Sequence, residues 1–284
     1  MADEVIGGYR LANHMMTGQT SQVWEVIELA SGRHFAMKML LPERARDREH
    51  RRLLFHEAEV GKRMAHPNVI KIFKIERSTT NPFFIMEFFP AGSLRLKLKQ
   101  TEYIRTRIHG VFKQAATALA YMNASGWVHR DVKPDNILCN AAGEVRLIDF
   151  ALSQRIPTGL AKMFWRRKTA QGTRSYMSPE QIRGQALDGR ADVYSFGCMA
   201  YEVVAGRVPF RGISAQELLE KHIKEKPLSP QFHNPDVTDE FAALVLRMLA
   251  KKREDRPKDF HEVLMALRSM RVFKSQEAAP SEAG

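Results

Sequence analysis

Cysteine is almost absent: the 284 residues contain two, Cys139 and Cys198. Two cysteines cannot build a disulfide framework, so the chain reads as a reduced, cytoplasmic protein. There is no Cys-x-x-Cys and no Cys/His cluster, which argues against a structural zinc site. Long apolar runs are missing as well. The longest stretch without Asp, Glu, Lys or Arg is 114–129, and it carries Gln114, Thr117, Asn123, Ser125 and Gly126. It reads as a soluble helix and a turn, so no membrane span is expected. The chain opens Met-Ala-Asp-Glu, without the basic and then apolar regions of a signal peptide. No internal repeat is present. Acidic residues are short, at 32 against 44 basic ones, which leaves a net charge of +12. That excess suits nucleic acid, an anionic membrane surface, or an anionic substrate and cofactor. The remaining composition, 44% hydrophobic and 27% charged, is that of a globular protein and excludes disorder or a fibrous repeat as the main description.

The pattern changes character once along the chain. Residues 22–29 and 34–40 read as strands joined by the turn Ala30-Ser31-Gly32. Residues 43–64 read as a helix, with Leu54, Ala58, Gly61 and Ala65 at helical spacing and five arginines between 44 and 52 on other faces. His66-Pro67-Asn68 ends it, because proline disfavours helix at the residue before it. Residues 69–75 and 83–88 read as two further strands. Beyond Pro90 the pattern is mostly helical: 103–123, 192–205, 216–225, 239–250 and 260–271, with short strand-like pieces at 137–139 and 145–148. A long irregular stretch covers 149–180. The last residues, 272–284, become rich in Ser, Glu, Ala and Pro after Lys274 and are expected to be disordered. The expectation is an α+β chain: a small β-rich part with one key helix, about 9–86, and a larger helical part, about 93–271.

The chemistry is concentrated in a few ordered segments. Residues 129–136 read His129-Arg130-Asp131-Val132-Lys133-Pro134-Asp135-Asn136. Asp149-Phe150-Ala151 follows, then Ser178-Pro179-Glu180; upstream lies Phe35-Ala36-Met37-Lys38. Alone, Lys38 would be an ordinary solvated lysine and Pro134-Asp135-Asn136 a polar turn. Together and in this order, the segments resemble eukaryotic-type protein kinases, and the bacterial eukaryotic-like Ser/Thr kinases most of all. The resemblance covers about residues 9–271 and implies a bilobal kinase fold with a hinge near 87–92.

The resemblance also implies roles. ATP and Mg²⁺, with Mn²⁺ as the alternative metal, are the expected cofactors. Lys38 would hold the α- and β-phosphates, paired with Glu57 on the following helix; Glu59 is the fallback partner. Asp131 would orient the acceptor hydroxyl, and Lys133 would reach the γ-phosphate. Asn136 and Asp149 would supply oxygen ligands to the metal. Val23, Ala36 and Leu138 would sandwich the adenine, with Met86 as gatekeeper and the Glu87 carbonyl and Phe89 amide at the ring edge. Lys133 and Thr173 point to Ser/Thr acceptors on a protein substrate. Arg130 would bind a phosphate on the 149–180 loop, with Thr169 the first phosphosite candidate, Thr158 the second, and Thr173 also in that loop. Glu180 and Arg256 would form a buried pair, and Asp192 would brace the catalytic loop.

Three departures stand out. Of three expected glycines in the loop before Val23, at 16, 18 and 21, only Gly18 is present. Ala151 replaces a usual glycine, which costs energy if position 151 needs positive φ. Gly61 replaces a bulky residue and is expected to leave a gap beside His129, Phe150 and Ile72. They keep open a second reading, a pseudokinase or slow kinase acting as a scaffold. A nucleic-acid module has only the charge in its favour, since no basic repeat is interleaved with aromatics. The arginines of 44–52 and the run Arg95, Lys97, Lys99, Arg105 and Arg107 read as solvated faces that favour acidic substrates or partners.

Overall fold

The computed structural model describes residues 4–159 and 171–276. The chain divides into two compact units: Met1–Pro90 with Ile148–Leu152, and Ala91–Leu147 with Ser153–Gly284.

The first unit is an antiparallel six-stranded sheet with one long helix. Its strands are β1 (Val5–Ile6), β2 (Tyr9–Thr17), β3 (Ser21–Glu28), β4 (His34–Leu40), β5 (Ile72–Glu76) and β6 (Phe83–Glu87), in the order β1-β2-β3-β4-β6-β5. The β3–β4 hairpin closes through Gly32 at φ +70°, a conformation that glycine adopts without steric cost. Alternation then sorts the side chains. Val23 faces Lys38, Lys38 faces Phe84, and Ala36 faces Met86. This register places Val23, Ala36, Lys38, Phe84 and Met86 on one face of the sheet. On that face Leu40, Phe84, Ile72 and Met86 pack with Leu54 and Ala58 of α1 (Arg48–Lys62). Val26, Phe35, Met37, Phe83 and Ile85 form a separate core with Ile6 and Tyr9.

The helix begins later than its apolar spacing predicts. Pro42–Arg44 is a separate 3-10 turn. Asp47 then caps α1, its carboxylate accepting the N–H of Glu49 at 2.9 Å and of His50 at 3.0 Å. Arg51 is not part of a solvated face. Its guanidinium donates to the carbonyls of Ala45 and Ser78, each at 2.9 Å, and so ties the start of the helix to the β5–β6 connection.

The second unit is mainly helical: α2 (Leu94–Lys97), α3 (Thr101–Ala124), α4 (Pro179–Ile182), α5 (Gly189–Ala205), α6 (Ala215–Lys224), α7 (Asp239–Met248) and α8 (Phe260–Ser269). Two small antiparallel pairs complete it among the described residues: β7 (Trp127–Val128) with β10 (Gln154–Arg155), and β8 (Ile137–Cys139) with β9 (Val145–Leu147). Helix α5 is the axis of this unit, with every residue from Ala191 to Val204 buried. Phe112 of α3 stacks on Phe241 at 5.7 Å and meets Phe196 edge-on, and Phe196 in turn meets Phe260. Each such aromatic pair adds about 0.5–1.5 kcal/mol beyond its burial. Both cysteines are buried free thiols.

The end of the described chain corrects an expectation. Val272 and Phe273 are buried, not disordered. Phe273 bridges Val237, and the Lys274 N–H donates to the Asp236 carbonyl at 2.7 Å. Two adjacent apolar residues outweigh the polar composition around them. Among the described residues, no helix is long and apolar enough to cross a membrane.

Candidate active site

In the first unit the decisive contact is a buried ion pair. Lys38 Nζ donates to both carboxylate oxygens of Glu57, each at 2.7 Å. Glu59 instead takes an exposed bond from Arg77 at 2.8 Å, so Glu57 is the partner of Lys38. Burial pushes the Glu57 carboxyl up to about 7, with the charge of Asp149 adding to that and Lys38 opposing it. Burial would lower the Lys38 ammonium, but the charges of Glu57 and Asp149 outweigh it and hold it high. Two carboxylates therefore converge on one lysine in low dielectric. Asp149 itself sits at φ +66°, in the left-handed region that Asp tolerates better than most residues, and one of its oxygens accepts the Ala151 N–H at 3.3 Å.

The three departures look different in three dimensions. Ala151 does not have positive φ, so its methyl carries no backbone cost there. Gly18 lies at the β2–β3 tip, where its N–H donates to the Ser21 carbonyl at 2.8 Å. An added Cβ would meet only that carbonyl, at 3.4 Å, so the turn itself does not demand glycine. Gly61 leaves no gap. A Cβ there would lie 2.5 Å from Ile72 Cδ1 and 3.0 Å from Phe150 Cδ2. Ile72 and Phe150 have moved into the space that a larger residue would take. Gly61→Leu is therefore expected to destabilise the protein by about 1–3 kcal/mol, as overpacking does. Urea unfolding checks this, and a gain in stability would contradict it.

The adenine-site candidates in this unit are apolar. Val23, Ala36 and Phe89 are buried, Met86 is half-buried against the α1 core, and Glu87 ends β6 with its N–H on the Lys71 carbonyl. Leu138 belongs to the second unit, in β8, where it bridges Ser93.

In the second unit one hydrogen-bonded cluster gathers four of the expected residues. Asp131 Oδ2 accepts from Lys133 Nζ at 2.6 Å, and Oδ1 accepts from the Thr173 N–H at 2.9 Å. Lys133 Nζ also donates to Thr173 Oγ1 at 2.7 Å, and Asn136 Nδ2 to the Asp131 carbonyl at 2.8 Å. Burial would raise the Asp131 carboxyl, but Lys133 and the Thr173 donors outweigh it and hold it below the usual carboxylate range.

Asp192 supports this cluster from α5. It accepts the backbone N–H groups of His129 at 2.8 Å and Arg130 at 2.9 Å, and the amide of Asn123 at 2.9 Å. Gly189 allows that approach, since a Cβ there would lie 2.5 Å from Asn123 Oδ1. Arg130 has φ +72°, a strained setting for a long side chain, and such strain gathers at functional sites. Its carbonyl accepts from Gln181 Nε2 at 2.7 Å, and the same amide reaches the Gln171 carbonyl at 3.0 Å. Gly172, at φ +128°, passes the Arg130 carbonyl so closely that a Cβ would stand 3.0 Å from it. Asn123 and Gln181 carry no motif signal; their roles come from reach across the fold.

Glu180 and Arg256 form a bidentate buried pair at 2.7 and 2.9 Å. Thr158 is exposed. Thr169, with Arg166, Arg167 and Lys168, lies outside the described residues. Arg155 stacks on Trp127 at 4.6 Å. Arg95, expected on a solvated face, instead turns inward to Glu202, Asp135 and Tyr176.

A buried lysine–carboxylate pair in one unit, and an aspartate bound to lysine, asparagine and threonine in the other, define a protein kinase. The family model of the protein kinase domain matches residues 9–267, and the chain belongs to that family. Its relatives include the serine/threonine-protein kinase PknB of Mycobacterium tuberculosis, 32% identical over 254 residues, which are 87% of this chain and 40% of that protein. A probable serine/threonine-protein kinase of Corynebacterium efficiens is 32% identical over 259 residues, 87% of this chain and 39% of that protein. One from Streptomyces coelicolor is 30% identical over 251 residues, 86% and 37%. The chain thus spans about 40% of the length of these relatives.

Proposed function

We propose that the chain is an active Ser/Thr kinase that moves the γ-phosphate of ATP to protein hydroxyls. The observation that carries this is the Asp131 cluster, in which Lys133 and Thr173 both contact the carboxylate. Phosphoryl transfer asks a protein for position and compensating charge, not for covalent chemistry. Lys38, fixed by Glu57, holds phosphate oxygens. Asp131 accepts the hydrogen bond of the acceptor hydroxyl. With its carboxyl held low, it is a weak base at neutral pH and acts chiefly by orienting that hydroxyl. Lys133 faces the developing negative charge. Asn136 and Asp149, one in each unit, each carry an oxygen of the kind a hard divalent ion takes, Mg²⁺ with Mn²⁺ as the alternative. When bound, that ion neutralises phosphate charge.

The test is incubation of purified protein with labelled ATP and Mg²⁺, followed by mapping of phosphosites by mass spectrometry. Label is expected on hydroxyls of the 149–180 loop, Thr169 first and Thr158 second. Lys38→Met should transfer about 10²–10³-fold more slowly, the usual cost of removing one charge-stabilising donor. Full transfer by Lys38→Met would contradict the assigned role. Wild-type protein that binds ATP without transferring phosphate would favour the scaffold reading, which rests on the loss of glycine at 16 and 21. Acidic peptides should be better acceptors than basic ones, given the net charge of +12.

The rate should also fall as pH drops below about 7, because only ionised Glu57 holds Lys38. The stability contribution has the opposite sign. A carboxyl raised on folding favours the folded state when protonated, and that contribution fades as pH rises through about 7. A rate–pH profile across neutrality, beside a melting series, separates the two.

A further inference from the structure

We propose that the hollow between the start of α3 and the end of α8 holds an acidic segment of the protein substrate, far from the acceptor hydroxyl, and so tethers the substrate. The proposal rests on the kinase reading.

The hollow measures about 930 Å³ and lies within the second unit. Arg105 of α3 lines it, with Arg268 and Arg271 from the end of α8. Two contacts bring these distant segments together. His109 Nε2 donates to the Leu267 carbonyl at 2.7 Å, and Gln276 Nε2 donates to the Arg105 carbonyl at 2.6 Å. His109 lies one turn beyond Arg105, so the chain after α8 runs back along the first turns of α3. The Gln276 side-chain oxygen accepts the N–H groups of Val272 and Phe273, each at 3.1 Å, which fixes that return.

The cations are available. Arg105, Arg268 and Arg271 are all exposed. Among the described residues, the side chains of Arg105 and Arg268 have no hydrogen-bond or ion-pair partner. Arg271 spends Nη1 on the Gln276 carbonyl at 3.0 Å and keeps the rest of its fork. Arg247, by contrast, is paired with Glu262 at 2.6 Å. Glu102 is the one carboxylate that lines the hollow among the described residues, and it makes no ion pair with these arginines. Three guanidiniums against one carboxylate leave the hollow net positive, and a concave surface of one sign concentrates anions. Shape selects the occupant. The hollow is far larger than one phosphate, which favours a row of carboxylates, each a match for a guanidinium fork. A bilayer is flat and does not enter a hollow.

Distance sets the role. Asn123, near the other end of α3, bonds Asp192, which holds the backbone of His129 and Arg130. Arg105 lies about 27 Å from Asn123 along the helix axis, at 1.5 Å per residue. An extended chain needs about eight residues to cover that, at 3.3–3.6 Å each. Residues that flank the acceptor therefore do not reach the hollow. A segment bound there acts by raising the local concentration of the hydroxyl.

The experiment has two arms. In the first, a fluorescent peptide of six glutamates without an acceptor is titrated with wild type and with the double variant Arg105→Glu, Arg268→Glu. The variant should bind at least about tenfold more weakly, the scale of one charged hydrogen bond. Equal affinity would overturn the hollow as the site. In the second, the glutamates are joined to a serine peptide by Gly/Ser linkers of about two or about 24 residues, the longer spanning about 27 Å on average. The readout is kcat/KM divided by that of the same peptide without glutamates, so loss of folded protein cancels from it. With the long linker, wild type should give a ratio of about ten or more, carried by KM, and the variant a ratio near one. With the short linker, the two proteins should give equal ratios. A long-linker ratio near one in wild type, or one that the variant keeps, would overturn the tether. Retention of wild type but not of the variant on vesicles of anionic lipid, without peptide binding, would assign the hollow to a membrane and overturn the peptide. If wild type binds the glutamate peptide but labels no serine, the kinase reading fails and the tether with it, while anion binding by the hollow stands.

Discussion

Asp131→Asn should lower the rate of phosphate transfer by about 10²–10⁴-fold, the range lost with a positioned acid–base group, while the fold is kept. The two side chains have the same shape, so packing is not the issue. The carboxylate accepts from Lys133 Nζ, the Thr173 N–H and the Asn136 amide. An asparagine replaces one accepting oxygen with an NH₂ donor. Whichever way it turns, a donor faces either the Lys133 ammonium or the Thr173 N–H. The charge that orients an acceptor hydroxyl is lost, and Lys133 loses its counter-ion. The substitution leaves Lys38 and Glu57 untouched, so ATP affinity should change far less than the rate. Single-turnover transfer from labelled ATP, beside equilibrium binding of a nucleotide, measures both. A variant within tenfold of wild type would remove Asp131 from the proposed role.

Arg256→Ala should cost about 3–5 kcal/mol of stability, because it leaves a buried carboxylate without its cation. Glu180 is 4% exposed and Arg256 fully buried. The guanidinium also donates to the carbonyls of Ala250 at 2.8 Å, Arg190 at 2.9 Å and Lys251 at 3.2 Å. It lies against the Tyr194 ring at 4.8 Å. Alanine therefore strands a charge and three carbonyls and opens a cavity. Against a typical total of about 5–15 kcal/mol, that is a large share. Melting should drop by roughly 6–20 °C for a domain of this size. Replacing both partners, as Glu180→Leu with Arg256→Met, should recover part of the loss, since no charge is then left unpaired. A single variant that melts within two degrees or so of wild type would show that the pair is not worth what its burial implies.

The sequence carried the chemistry because the chemistry is local. Asp131, Lys133 and Asn136 lie within six residues, and backbone geometry alone keeps them together. Strand alternation puts Lys38 on the same face as Ala36, and the β3–β4 register of the structure adds Val23 to it. Glu57 was legible from the family's spacing to the His66-Pro67-Asn68 turn, with Glu59 the fallback. Where sequence reading went wrong, the answer lay in packing or in distance along the chain. Gly61 reads as a gap, yet Ile72 and Phe150 fill the space. Nothing local to Gly61 records how far those side chains can lean. Ala151 reads as strained, yet the positive φ falls on Asp149. The tail reads as polar, yet Val272 and Phe273 find a surface near Val237.

Arginine shows the division most clearly. In the sequence, Arg51, Arg95 and Arg256 are three of many cations in a chain of net charge +12. Composition fixed that they must meet negative charge or carbonyl oxygen, or stay in water. Motif order pointed to the family and to Glu180 as the partner of Arg256. Only the tertiary structure decided that Arg51 clamps the carbonyls of Ala45 and Ser78, and that Arg95 meets a carboxylate 107 residues away. A side chain's reach is set by its own bonds, but what lies within that reach is set by how distant segments pack.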